Sequence, residues 1–215
     1  KKGLLLLTGN VGTGKTAVIN TFLKSIDEEV VAVMIPDPGL NSSDLYNILS
    51  NEFKMDRKFS SKEDFLNHLK PFLNEINLKR KKILLIIDEA QSMSHELLRE
   101  IRQLSNSGAA NKKLINIFMV AQNEFIAILD ENRNRAFKRN IGTIFHLDPL
   151  NDLETEEYIT HRLKVAGSDK RIFSSKAIRD IHVFSAGIPR LINIACDRAL
   201  LTAFGLSQRK ISGSV

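Results

Sequence analysis

In "LLLLTGNVGTGKT", Leu4–Thr16, a leucine run enters a glycine-rich turn that closes on a lysine and a threonine. Gly9, Gly14, Lys15 and Thr16 fall on the spacing G-x-x-x-x-G-K-[ST], with Gly12 inside it, which is the P-loop pattern. Glycine lets the backbone curl so that successive N–H groups point inward, and a helix starting at Lys15 would add its positive N-terminal end. The segment Gly9, Asn10, Val11, Gly12, Thr13, Gly14, Lys15, Thr16 and Ala17 is therefore expected to cradle a nucleotide's phosphates. Lys15 would reach the β- and γ-phosphates and the Thr16 hydroxyl would bind Mg²⁺. The leucines supply the buried strand that holds the loop rigid.

Outward from this loop, short apolar runs alternate with helical patterns. Strands are expected near Leu4–Thr8, Val30–Ile35, Ile83–Asp88, Leu114–Ala121 and Thr143–Leu147. Their near-continuous hydrophobicity suits parallel strands covered on both faces. Helices are expected between them at Lys15–Lys24, Ser43–Phe53, Lys62–Ile76, His95–Leu104 and Glu124–Phe137. Strand then helix, repeated, predicts an α/β sandwich with right-handed crossovers. After "LDPL", Leu147–Leu150, only helices follow, at Asp152–Val165, Ser174–Phe184 and Pro189–Phe204. The expected division is a core over residues 1–148 and a helical subdomain over 149–215. The stripe Ile188, Leu191, Ile192, Ala195 and Ala199 reads as core packing of the last helix.

Composition narrows the function classes. With 43% hydrophobic and 26% charged residues among 215, the chain reads as a folded globular protein. No apolar run approaches the ~18 residues of a membrane span, and no signal-peptide cleavage pattern follows Lys1–Lys2. Cys196 stands alone, so no internal disulfide forms, and the five histidines show no metal-ligand spacing with it. The net charge of +6 is spread evenly: Lys plus Arg exceed Asp plus Glu by 21 to 18 up to Pro149 and by 10 to 7 beyond it. The even spread argues against a nucleic-acid surface, while "KRKK" at Lys79–Lys82 and the pair Lys112–Lys113 keep that alternative open.

A phosphate-transfer site also needs an acidic strand end, and "ILLIIDEAQ" provides Asp88 to hold Mg²⁺ and Glu89 to deprotonate an attacking water. In "FMVAQNE", Gln122 and Asn123 end another strand, where amides would orient that water; Asn123 equally suits a helix N-cap. "NRNRAFKRN" offers Arg133, Arg135 and Arg139 as arginine-finger candidates. Arg190 opens the last helix against the preference of the helix dipole, as a phosphate-binding residue would.

"GNVGTGKT", "LLIIDEAQSMSHELLREIRQLSN", "VAQNEF", "LDPLNDLETEEYITHRLKVAG" and "FSAGIPRLINIACDRALLTAFG" together resemble the AAA+ ATPase domain of the general secretion pathway protein A (ExeA/GspA-like) family. The resemblance implies a P-loop three-layer αβα sandwich whose five-stranded parallel sheet has the order 5-1-4-3-2, with a small helical lid, ATP and Mg²⁺ as ligands, and a homo-oligomer, ring or dimer. It places Gln122 as sensor 1, Arg190 as sensor 2 touching the γ-phosphate, and Arg139 as the finger serving a neighbouring subunit. It further implies a cytoplasmic domain of an inner-membrane protein, a B-type membrane partner in secretin assembly, and a stretch ahead of the first strand, so that this sequence is a fragment. Asn10, Ala121–Asn123 and Lys138–Arg139 depart from the residues usual in that family. The expected function is ATP hydrolysis driving assembly of a secretion complex. The alternatives are a DNA-binding regulator of transposition and a nucleotide-gated interaction module.

Overall fold

The computed structural model describes residues 3–39, 41–55, 57–107 and 114–213. Lys112–Lys113 lie outside the described residues. Two compact units emerge: one holds the residues up to Gly9 and Lys15–His146, the other Asn10–Gly14 and the residues from Leu147 on.

The first unit runs β1 (Leu4–Gly9), α1 (Lys15–Lys24), β2 (Val30–Ile35), α2 (Ser42–Glu52), α3 (Lys62–Leu78), β3 (Lys82–Ile87), α4 (His95–Ser105), β4 (Ile115–Ala121), α5 (Glu124–Asp130), α6 (Arg135–Lys138) and β5 (Ile141–Leu147). The sheet order is β2-β3-β4-β1-β5, which is 5-1-4-3-2 read from the other edge. The pairs β2–β3, β3–β4 and β4–β1 are parallel. Thr8 Oγ1 donates to Phe145 O at 3.2 Å, so the carboxyl ends of β1 and β5 also lie side by side.

Register explains the layering. Leu4, Ile117 and Leu85 share one face with Ile83, Val33 and Ile35, and all are buried against apolar residues of α2, α3 and α4 such as Leu49, Phe65 and Ile101. Leu7, Val120 and Ile86 point to the opposite face, which receives the buried Ile19 of α1. On that face Phe22 also meets Phe118 edge-on, with ring centroids 6.1 Å apart. Each buried Leu or Ile contributes roughly 1.5–3 kcal/mol, so the sheet is a firm platform for the loops at its carboxyl edge.

The structure corrects two expectations. The helix expected over Glu124–Phe137 is broken: Glu131 is extended (φ −58, ψ 141), a 3-10 turn follows at Asn132–Asn134, and α6 starts anew at Arg135. Asn134 holds the break by donating from Nδ2 to Ile128 O at 2.7 Å, a second and shorter bond to a carbonyl that otherwise accepts, among the described residues, only the capping Glu131 N–H at 3.4 Å. Nor is β5 covered on both faces: Ile144 and Phe145 are 44% and 53% exposed, because β5 is an edge strand.

The second unit contains α7 (Asp152–Val165), α8 (Ser175–Ser185) and α9 (Pro189–Gly205). Asn151 and Glu154 form a reciprocal capping box at the start of α7, and Pro189 occupies the first turn of α9, where its missing N–H costs nothing. Ile159, Phe173, Ile178, Ile181 and Ile192 form the core, with Ala195, Cys196 and Ala199 packed on it. Ile188 and Leu191 are only half-buried and stand outside that core. Burial pushes the Cys196 thiol up to about 11.

Between α8 and α9, Ala186 (φ 48) and Gly187 (φ 73) are both left-handed, and Leu150 N donates to Gly187 O at 2.9 Å. A Cβ on Gly187 would overlap the Leu150 carbonyl oxygen, whereas one on the left-handed Gly167 would meet nothing within 4 Å. Gly187→Ala is therefore expected to destabilise by about 2–4 kcal/mol, and Gly167→Ala by about 1 kcal/mol from backbone strain alone. Thermal unfolding of the two variants checks this, and equal melting temperatures would contradict it.

Candidate functional site

The loop after β1 takes its form from two glycines. Gly12 (φ 83) and Gly14 (φ 97) are left-handed, where a side chain is strained. Gly12 has a second requirement inside its own compact unit: its carbonyl accepts from Arg190 N at 3.2 Å, and a Cβ on it would lie 2.8 Å from the Arg190 Cβ. Thr13 Oγ1 donates to Asn10 O at 2.9 Å and tightens the turn. Val11 and Asn10 are exposed on the loop, as is Ala17 on the first turn of α1.

In the first unit, Lys15 is 7% exposed and its Nζ donates to Gly9 O at 3.0 Å. Burial lowers its pKa, opposed by the negative charges of Glu89, Asp88 and Glu124. Burial penalises the charged ammonium, so an anion brought beside it would stabilise its charge. Thr16 Oγ1 donates to Asp88 Oδ2 at 2.8 Å, and Asp88 Oδ1 accepts from Glu89 N at 2.9 Å. Asp88 is buried just past β3, and the end of β2 fixes it, since the Asp88 N–H donates to Ile35 O at 2.9 Å. A hydroxyl and a carboxylate oxygen side by side are hard oxygen donors of the kind Mg²⁺ takes, so this pair fits the cation.

Glu89 departs from ordinary backbone. Its φ of 50 is left-handed, at a cost of roughly 1–2 kcal/mol for a residue with a Cβ, and it opens a 3-10 turn at Ala90–Ser92. The turn is secured by the buried Ala90 and by Ser92 Oγ, which donates to Glu89 O at 2.9 Å. The Glu89 carboxylate receives two amides on one oxygen: Gln122 Nε2 donates to Oε2 at 3.1 Å, and Gln91 Nε2 donates to the same atom. Gln91 Oε1 in turn accepts from Gln122 N at 3.0 Å.

The first unit thus brings Lys15, Thr16, Asp88, Glu89 and Gln122 together. Asn123 stands at the N-cap of α5 but its side chain makes no capping bond. Of the finger candidates, Arg133 pairs with Glu131 at 2.6 Å, while Arg135 and Arg139 are exposed with no ion pair among the described residues. No hydrogen bond among the described residues joins Arg139 to Glu89 or Asp88. Arg190 lies in the second unit, with its backbone on Gly12 and its side chain exposed. Sequence reasoning left Gln91 without a role, although "DEAQ" displays it two residues after the carboxylate it binds.

Residues 1–129 match the family model described as AAA domain. The chain belongs to the AAA domain family. This AAA domain is 34% identical over 210 residues to general secretion pathway protein A of Aeromonas hydrophila, an alignment covering 97% of this chain and 38% of that protein. The chain thus spans less than two fifths of that relative's length. Among solved structures the AAA domain superposes on Cdc6p from Pyrobaculum aerophilum with a TM-score of 0.71 at 17% identity, over 97% of this chain and 57% of that one. The Aeropyrum pernix ORC2 protein, in ADPNP-ADP complexes, gives 0.69 at 16% identity over 99% and 60%. The Thermotoga maritima RuvB Holliday junction branch migration motor gives 0.60 at 16% over 97% and 58%. At these identities the structural likeness establishes the fold, a P-loop α/β sheet with a helical C-terminal part.

Proposed function

We propose that this AAA domain binds ATP through Gly9–Ala17 and hydrolyses it, and that the cycle drives assembly of a bacterial secretion complex. The observation that carries the reading is the double pairing at the strand ends, Thr16 with Asp88 and Glu89 with Gln122, beside a buried Lys15. Lys15 exchanges the Gly9 carbonyl for a phosphate oxygen, and the anion's charge offsets the burial of the ammonium. Thr16 and Asp88 would hold Mg²⁺, which supplies neutralisation of phosphate charge when bound. Glu89 accepts the proton of the attacking water, on the oxygen that takes no hydrogen bond among the described residues, while Gln122 orients that water. Arg190, the sensor-2 residue, reaches the γ-phosphate, and Arg139 serves the nucleotide of a neighbouring subunit in a homo-oligomer.

The secretion role extends the likeness to general secretion pathway protein A. In that role the domain works on the cytoplasmic side of an inner membrane with a B-type membrane partner. Among the described residues no helix is long and apolar enough to cross a membrane.

Phosphate release from Mg-ATP by the full chain tests the activity. ATP that binds and stays intact would contradict hydrolysis and favour a nucleotide-gated interaction module. DNA is expected neither to stimulate release nor to bind with a steep salt dependence, because Lys79–Lys82 form a small exposed cluster in which Lys79 already pairs with Glu75. Binding that weakens by roughly 10³-fold or more between 50 and 200 mM salt would instead indicate release of many counterions and a DNA-bound function.

A further inference from the structure

We propose that Gln91 is a positioning residue for hydrolysis, the side chain that locks Glu89 and Gln122 into one arrangement; the proposal rests on the reading of Glu89 as general base. The two ends of its carboxamide do different work. Nε2 donates to Glu89 Oε2, and Oε1 accepts from the Gln122 backbone N–H at 3.0 Å. Gln122 Nε2 closes the ring by donating to the same Glu89 oxygen at 3.1 Å. Gln91 therefore links the end of β3, which presents Glu89, to the end of β4, which presents Gln122.

This linkage needs one donor and one acceptor on a side chain of glutamine's length. Glutamate keeps the acceptor but loses the donor and sets a second negative charge beside Glu89. Methionine keeps the length and loses both bonds. The left-handed backbone of Glu89 aims its carboxylate away from the direction an extended strand end would give, and the two amides hold it there. Both fall on Oε2, so among the described residues Oε1 is left to meet a water. Without Gln91 the carboxylate keeps its chemistry but loses its fixed aim. A displacement of about 1 Å in such a group reduces the chemical step by tenfold or more and leaves binding alone.

Steady-state kinetics of the full chain with Mg-ATP test this, beside nucleotide affinity from a fluorescent ATP analogue. Gln91→Met and Gln91→Glu are each expected to lower kcat about tenfold or more, with KM and analogue affinity within about twofold of wild type. In the Glu89→Gln background, Gln91→Met is expected to add no further loss, since there is no base left to aim. A side-chain role in folding alone would weaken nucleotide binding and add its loss in both backgrounds, and that result overturns the proposal. So does a kcat within twofold of wild type for both single variants while Glu89→Gln is dead. A Glu89→Gln protein as fast as wild type removes the general-base reading itself, and the proposal with it. An independent readout is the nucleotide-free protein's ¹⁵N–¹H spectrum. One Gln91 side-chain amide proton is expected downfield of free glutamine because of its charge-assisted bond, returning in Glu89→Ala. A free-glutamine position in the wild type contradicts the linkage.

Discussion

Replacing Glu89 by Gln is expected to leave ATP binding within a few-fold of wild type while steady-state phosphate release falls by about 10²-fold or more, the usual scale for losing a general base. The separation of the two effects follows from position. In the proposed site Lys15, Thr16 and Asp88 are the residues that would hold phosphate and metal, and Thr16 bonds Asp88 directly at 2.8 Å. Glu89 stands one residue further, turned by its left-handed backbone toward Gln91 and Gln122 instead. A glutamine there retains shape and can still bond both neighbours, but cannot accept the proton. Measurement of bound nucleotide and released phosphate on the same preparation checks both halves. Equal turnover in variant and wild type would exclude Glu89 from the role.

The larger expected loss is at Arg139, where substitution by Ala should cut turnover by about 10³-fold in the assembled oligomer, the scale of an arginine finger. Arg139 caps the C-terminal end of α6, exposed and without an ion pair among the described residues, whereas Arg133 is already committed to Glu131. A cation with no ion pair among the described residues suits an anion supplied by another subunit. The measurement that separates a finger from a local structural role is mixing. Arg139→Ala subunits keep an intact Glu89, and Glu89→Gln subunits keep an intact Arg139, so combining two inactive preparations should restore part of the activity. No restoration, or an inactive Arg135→Ala beside an active Arg139→Ala, would contradict the assignment.

The loop was legible in the sequence because its chemistry is a backbone chemistry. Glycine adopts the left-handed angles at positions 12 and 14 without the strain a Cβ would bring, so the geometry is written in residue type. Asp88 and Glu89 were legible because a charged pair ends an otherwise unbroken apolar strand. Gln91 carried no such mark, since a polar residue after a strand is common, and its reach to Gln122 depends on the 3-10 turn that Glu89 starts. The close approach of Arg190 to Gly12 was equally hidden. It joins residues distant in sequence, and Gly12 appeared to be explained by the phosphate loop alone. The break at Glu131 was missed because no Gly or Pro marks it: "DENRNR", Asp130–Arg135, is polar but free of strong helix breakers, while the decisive bond, Asn134 to the Ile128 carbonyl, is a side-chain cap without a distinctive pattern.

The most direct test of the central claim is a crystal structure of the full chain with Mg²⁺ and a non-hydrolysable ATP analogue. The β- and γ-phosphates are expected on the backbone amides of Gly12–Thr16 with Lys15 Nζ on a phosphate oxygen, and the metal on Thr16 Oγ1 with Asp88 bound directly or through one water. An analogue seated elsewhere, or a Thr16–Asp88 pair that stays closed with no metal beside it, would contradict it.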